Sequence, residues 1–342
     1  MGNNIMAVTM GDPAGIGPEI VLKAFSENNF SKAGRLVVIG SLEVLKKTKE
    51  QNGINVELIK ISDIEEAKTL SADSRDSIKV LDLDNIKFSD YRIGQIQKNC
   101  GRAAADYIYR GIELARRGEL QALITGPIHK EALKLAGIKE AGHTEILASE
   151  FNVQNYAMLL AEKSFRISHV STHVSLKEAC ELVKEDRIFQ VIKLTDEFLG
   201  DLNLDKKKIA VAGLNPHAGE HGLFGQEEKQ EIKPALDRAA GQNIDVEGPF
   251  PPDTIFARAR AGEFQAVVAM YHDQGHIPMK TVGFQFDAKK DSWLAVSGVN
   301  VTLGLPVIRT SVDHGVAFDI AGKNRARPDS LKEAVMLAGE LV

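Results

Sequence analysis

Three histidines, His173, His217 and His272, share one local setting: each follows a short apolar run and sits in or opens a polar loop. His173 closes RISHVSTH just ahead of Ser175, His217 lies in LNPHAGEHG behind KIAVAG, and His272 follows AVVAMY directly. With the runs as parallel strands, the imidazoles stand at strand carboxyl ends, where open α/β sheets place their ligands. Three neutral imidazoles with an open position suit a catalytic divalent metal, typically zinc, with manganese, cobalt or magnesium under softer geometric control. Asn215 and Asp273 stand beside two of them as groups able to orient the rings. A histidine after a strand is also an ordinary hydrogen-bonding loop residue, and spacing alone leaves the two readings level. His169, on the same strand face as His173, reads as a structural neighbour.

Other segments could hold an anion. GDPAGIGPE, Gly11 to Glu19, is a glycine-rich turn between an apolar run and a helix start, where free amides and the helix dipole favour negative charge. It is neither GxGxxG nor a P-loop, and glycines that only permit positive φ would look the same. In ITGPIHKEALKLAGIKEAGHTE, Lys130, His143 and Thr144 take loop or helix-start positions suited to a carboxylate or phosphate, with a plain cap as the alternative for Thr144. Lys280, Asn300 and Arg309 lie in apolar, glycine-rich sequence, where a cation meets a bound anion or a structural ion pair.

The positioning elements follow from the pattern. Apolar runs at Ile5 to Met10, Arg35 to Gly40, and those ending at Thr125, Val174, Leu214, Tyr271 and Val312 alternate with helical periodicity. Near-continuous apolar strands alternating with helices predict an α/β fold, a mostly parallel sheet covered by helices on both faces. Pro18 starts one helix, Gln95 to Gly118 forms a second, and the S-x-x-E box of Ser175 and Glu178 starts a third running to Leu199, with Cys180 on its core stripe. Breaks near 126 and 298 divide the chain into a discontinuous lobe, 1–126 with 298–342, and a middle lobe, 127–297. The chain has 342 residues, and 42 Lys+Arg against 47 Asp+Glu give a net charge of -5 without a run of one sign, which offers nucleic acid and anionic membranes no footprint. Two cysteines without zinc spacing and an N-terminus without a signal-peptide core make the cytoplasm the expected compartment.

Taken together, GDPAGIGPE, TGP, GHTE, STH, LNPHAGE, PPDT, MYHDQGH and VNVTLGLPVIRTSVDHG resemble, from one end of the chain to the other, the 4-hydroxythreonine-4-phosphate dehydrogenase family. GDPAGIGPE and HGVAFDIAGK also look like signatures of the wider β-decarboxylating dehydrogenases. That resemblance implies the two-lobed α/β/α fold of isocitrate and isopropylmalate dehydrogenases and a homodimer. It implies metal ligands His173, His217 and His272, the last reaching a site in the partner subunit. It implies substrate contacts from His143, Thr144, Lys280, Asn300 and Arg309, and cofactor contacts around Gly11, Asp313, His314, Gly315 and Asp319.

The stretch TVGFQFDAKKDSWLAVSG is longer than in the vitamin B6 enzymes and HIPMK replaces their LPVLK-like sequence; both look like the branch acting on D-threonate or D-erythronate 4-phosphate. Asp319 matches a ribose-binding Asp, which disfavours a 2′-phosphate and favours NAD, whereas Arg327 would welcome NADP. The implied reaction is metal-assisted oxidative decarboxylation of a four-carbon 3-hydroxy acid 4-phosphate to dihydroxyacetone phosphate, with Lys280 and Asp253 as proton-transfer candidates. The alternatives are 4-hydroxy-L-threonine 4-phosphate as substrate, a metal-dependent lyase of the class II aldolase kind, and a non-catalytic phosphosugar-acid sensor.

Overall fold

The computed structural model of the protein describes residues 4–69, 77–288 and 292–342. Its strands, in chain order, are β1 (Ile5–Thr9), β2 (Arg35–Gly40), β3 (Glu57–Ile61), β4 (Ser77–Asp82), β5 (Ala122–Thr125), β6 (Ala157–Glu162), β7 (Phe165–His169), β8 (Ile209–Ala212), β9 (Val246–Phe250), β10 (Ala266–Ala269), β11 (Phe284–Asp287), β12 (Ser292–Val296), β13 (Val299–Leu303) and β14 (Ile308–Val312). The chain packs as two units, Met1–Val153 with Ala295–Val299 and Leu305–Val342, and Gln154–Leu294 with Asn300–Gly304. Residues 127–153, grouped with the middle lobe on sequence, pack within the first unit, where helix Lys130–Leu135 lies against helix Lys98–Arg116.

In the first unit the strand order is β3-β4-β2-β1-β5-β14, with every neighbouring pair parallel. Strands such as Leu36 to Ile39 are buried along their whole length, which is why they read as unbroken apolar runs. Burying each such side chain contributes about 1.5–3 kcal/mol. From β1 the chain moves to β2 on one side, while β5 lies on the other. This reversal opens a crevice at the carboxyl ends of β1 and β5.

In the second unit the order is β13-β6-β7-β10-β8-β9, with β6 and β7 antiparallel and β7-β10-β8-β9 parallel. Phe165, Ile167, Ala210, Ala212, Val267 and Ala269 form its core with Ile255, Phe256 and Met279. These last three fasten helices Pro252–Arg260 and His272–Gly283, and so fix where Asp253 and His272 start. The stretch from Thr281 to Gly298 contributes β11 and β12, which pair with each other; its residues 289–291 lie outside the described residues.

Three sequence expectations shift. The run through Val174 is a strand only to His169, so His173 stands in a loop. The helix expected from Ser175 to Leu199 is two helices, Leu176–Glu181 and Glu185–Asp201. Ser175 does cap the first, its Oγ accepting the Glu178 N–H at 3.2 Å. The second begins anew because Glu231, from a different element, accepts the Glu185 N–H and the Lys184 ammonium, each at 2.9 Å. With the break, only Ala179 of the short helix is buried, and Cys180 is exposed rather than part of the core.

Candidate functional site

In the first unit, a cluster forms at the ends of β5 and β14, which pair in register from Ala122 with Ile308 to Thr125 with Ser311. Arg309 is 3% exposed and donates from Nη2 to Thr125 Oγ1 at 2.9 Å. Burial pulls its guanidinium down to about 10, against the charge of nearby Glu145. His143 and Thr144 begin helix His143–Phe151, both half-buried. Burial pushes the His143 imidazole well below its usual range, the Arg309 charge adds to this, and a hydrogen bond with the Gly126 backbone opposes it. His143 Nε2 is buried without a protein partner. A neutral imidazole, a helix N-terminus and a buried guanidinium thus come together as a cradle for a phosphate or carboxylate.

The crevice between β1 and β5 is lined by the glycine-rich turn. Gly11 takes φ +78°, and a Cβ there would lie 2.5 Å from Pro127 O, so only glycine lets the two loops meet. Asp12 N–H donates to Pro127 O at 2.9 Å, and Asp12 Oδ1 accepts the Ala14 N–H at 2.9 Å. Asp12 Oδ2 is buried without a partner, and burial raises this carboxyl to about 6. Beyond β14, Asp313 and His314 are half-buried while Gly315 and Asp319 are exposed. The 2′-phosphate candidate Arg327 is engaged with Asp329 at 2.9 Å.

In the second unit, His173, His217 and His272 leave the carboxyl ends of the three adjacent parallel strands β7, β8 and β10. His173 and His272 stand with ring centroids 5.8 Å apart. Two imidazole nitrogens each about 2.1 Å from a common cation give a separation of this size. His272 Nδ1 lies 2.7 Å from Asp273 Oδ1, the carboxylate partner that orients a metal-binding ring and leaves Nε2 outward. All three residues have the donor type a divalent metal takes, and the His173–His272 spacing fits one. Among the described residues, however, no three His, Cys, Asp or Glu side chains of one chain are grouped to hold an ion. His217 sits instead in a turn where five successive residues, His217 to His221, all have positive φ. Each non-glycine residue in that conformation costs roughly 1–2 kcal/mol.

Lys280, half-buried near the end of helix His272–Gly283, carries its Nζ 4.4 Å over the Phe284 ring. Asp253 is exposed in the first turn of helix Pro252–Arg260. Asn300 is half-buried on β13, with Oδ1 buried and unpartnered. The second unit thus supplies the two proton-transfer candidates and one amide.

His276 and Gln274, which the sequence reading passed over, complete these arrangements beside His169, the expected structural neighbour. His276 stacks on His272 at 3.6 Å and 11°, and His169 follows at 4.8 Å from His276. Burial with neighbouring imidazoles lowers His169 to about 3 and His276 to about 4, so the inner part of this column is neutral. Gln274 accepts the Met270 N–H at 2.6 Å and donates to Gly213 O at 2.7 Å, tying the end of β10 to the end of β8. Both His276 and Gln274 lie inside the motif MYHDQGH, so their proximity to His272 was available; their partners were not.

Comparison with known proteins agrees along the whole chain. The family described as pyridoxal phosphate biosynthetic protein PdxA matches residues 32–338. The D-threonate 4-phosphate dehydrogenase of Salmonella typhimurium is 45% identical over 343 residues, covering 100% of both chains. That of Pectobacterium atrosepticum is 41% identical over 342 residues, covering 99% of each. Among solved structures, 4-hydroxythreonine-4-phosphate dehydrogenase from Klebsiella pneumoniae aligns with a TM-score of 0.85 at 40% identity over 99% of each chain.

Proposed function

The chain belongs to the pyridoxal phosphate biosynthetic protein PdxA family, and from that membership we propose that it oxidatively decarboxylates D-threonate 4-phosphate or D-erythronate 4-phosphate to dihydroxyacetone phosphate and carbon dioxide. The observation that carries this reading is the 45% identity to a D-threonate 4-phosphate dehydrogenase over the full length of both proteins.

The chain's own groups each take a part in this reaction. Arg309, His143 and Thr144 offset the charge of the substrate phosphate or carboxylate, with His143 Nε2 free to accept or donate a proton in that contact. Asn300 offers its unpartnered Oδ1 to a substrate hydroxyl. Asp253 takes the proton from the C3 hydroxyl as C3 is oxidised. Lys280 returns a proton to C2 after the resulting β-keto acid loses carbon dioxide. Gly11, Asp313, His314, Gly315 and Asp319 would hold NAD, which would supply the hydride acceptor; Asp319 favours ribose hydroxyls, and Arg327 is already paired with Asp329, which supports NAD over NADP.

His173, His217 and His272 would hold a divalent metal, which would supply Lewis acidity towards the substrate hydroxyl and the carbonyl formed from it. Zinc, magnesium, manganese and cobalt are all admitted by this donor set. The proposed homodimer would complete the set, with each site drawing on imidazoles of both subunits. The surface supports this homodimer: Val174, Leu176 and Leu182 follow His173, Leu223 and Phe224 follow His217, and Ile277 follows His272, all exposed, with Leu223 at 72% and Ile277 at 65%. Apolar side chains gathered around the histidines suit a second copy of the chain. No helix among the described residues is long and apolar enough to cross a membrane, and a cytoplasmic enzyme is the proposed setting.

The test is NADH formation at 340 nm by metal-reconstituted protein. Turnover of D-threonate or D-erythronate 4-phosphate, with dihydroxyacetone phosphate as product, is expected. Turnover of 4-hydroxy-L-threonine 4-phosphate alone transfers the protein to the second reading, which the Klebsiella structure favours.

A further inference from the structure

The turn that presents His217 is held by a carboxylate to which the reaction above gives no part. Its five residues have φ between 42° and 77°, and only Gly219 among them escapes a Cβ penalty. Such a conformation persists only where its surroundings over-determine it. Glu228, 5% exposed, supplies the surroundings. Its Oε1 accepts the Leu214 and Asn215 N–H groups at 2.9 and 2.8 Å, and its Oε2 accepts Asn215 Nδ2 at 2.9 Å. Glu227 accepts the same Asn215 amide at 2.8 Å. Asn215 O in turn accepts the Ala218 N–H at 3.1 Å, so the anchored residue feeds directly into the left-handed run. A Cβ on Gly219 would lie 2.6 Å from Glu228 Oε2; the turn wraps closely over the carboxylate.

The local helix is adapted to the same end. Glu228–Ile232 is a π-helical turn at the head of helix Lys233–Ala240. Such insertions re-aim side chains near functional sites, and here consecutive Glu227 and Glu228 reach one asparagine. Its own backbone N–H, the Asn215 side chain and the Gln226 backbone hold the Glu227 carboxyl below its usual range, as charge-accepting hydrogen bonds do.

We propose that Glu228 is a positioning residue: its buried carboxylate holds the left-handed turn and thereby sets where the His217 imidazole stands for a divalent metal. The proposal rests on the metal reading given above. Without the carboxylate, three orphaned N–H donors and four strained non-glycine residues release the turn, and His217 leaves its position.

The test uses the full chain loaded with Co2+, comparing Glu228→Gln, Glu228→Ala, Glu228→Asp and His217→Ala. Affinity is read by competition with a chromogenic chelator, geometry by the visible Co2+ absorption, and the turn by amide exchange over residues 213–225. The glutamine variant, which keeps one acceptor oxygen, is expected to bind Co2+ about 10-fold more weakly and the alanine variant about 100-fold, as for groups that orient a ligand. Both should show an altered absorption band and faster exchange confined to 213–225, with parent-like circular dichroism; Glu228→Asp should recover part of the affinity. Parent-like affinity and spectrum in folded Glu228→Gln, while His217→Ala has lost the metal, overturns the proposal and leaves the metal reading standing. Parent-like Co2+ binding by His217→Ala removes the metal reading, and the proposal with it.

Discussion

The anion cradle of the first unit and the histidine ends of the second are built on opposite terms. Arg309 is almost wholly buried, hydrogen-bonded to Thr125 on the neighbouring strand, and set beside His143. One chain makes this arrangement in full, and a buried guanidinium of this kind stands ready for a dianion. His173 and His217 are exposed, His217 stands in a strained turn, and exposed apolar side chains follow both in sequence. Among the described residues one chain brings His173 and His272 to 5.8 Å, their rings tilted by 44°, and groups no third ligand with them. The difference teaches that the buried arrangement around Arg309 is formed within one chain, whereas the exposed histidines, on the reading proposed above, would be completed by an ion and by a second subunit.

The largest expected effects break one side of this comparison while sparing the other. His217→Ala, or chelation of the parent, should reduce turnover to background, a loss on the order of 10³-fold or more, while inorganic phosphate still protects the protein thermally. Loss of that protection would show that the two sites are not independent. Arg309→Ala should lower kcat/KM roughly 10²- to 10³-fold, corresponding to the 2–5 kcal/mol lost when one partner of a buried charge pair is removed. Its Co2+ affinity should match the parent. An unchanged KM with normal turnover would take Arg309 out of the substrate site.

A smaller effect sharpens the second half of the comparison. Ile277→Asp and Leu223→Asp place charge among the exposed apolar side chains flanking the histidines. Both should shift the protein towards monomer in light scattering at micromolar concentration, and metal affinity should fall in step. Monomers that keep full affinity would place all three ligands in one chain.

The parts legible in the sequence were those written in short-range order. Parallel strands buried on both faces read as apolar runs, and the Ser175 cap and the histidines at strand ends could be placed because each needs only its immediate neighbours. The break at Leu182 to Lys184 was not legible, because the group that ends one helix and starts the next is Glu231, nearly fifty positions away. Gln274 escaped for the same reason, since its partner Gly213 meets it only once β10 lies beside β8, whereas Glu228 escaped because the turn that folds Asn215 back onto it has no periodic pattern. Cys180 was misplaced because a stripe read through the break kept the phase of a helix that does not continue.

The mildest prediction concerns Asp12, where the first unit departs from its own rule of satisfied charges. The carboxyl is fully buried, one oxygen accepts the Ala14 N–H, and the other has no protein partner. Burial raises its pKa from 3.8 to about 6. A folded value above the unfolded one means that the native state binds the extra proton between those limits, so stability is lost as pH rises from about 4 through 6. Two units correspond to about 3 kcal/mol at most. Asp12→Asn keeps the oxygen that accepts from Ala14 and removes the charge. In the absence of ligands it should raise Tm at pH 8 by several degrees and leave Tm at pH 4.5 within about a degree of the parent. An equal change at both pH values would mean that the ionised carboxylate has a partner after all. If NAD or a cation bound in the crevice supplies one, the advantage of Asp12→Asn should disappear when that ligand is added, turning a stability measurement into an assay of which molecule the glycine-rich turn receives.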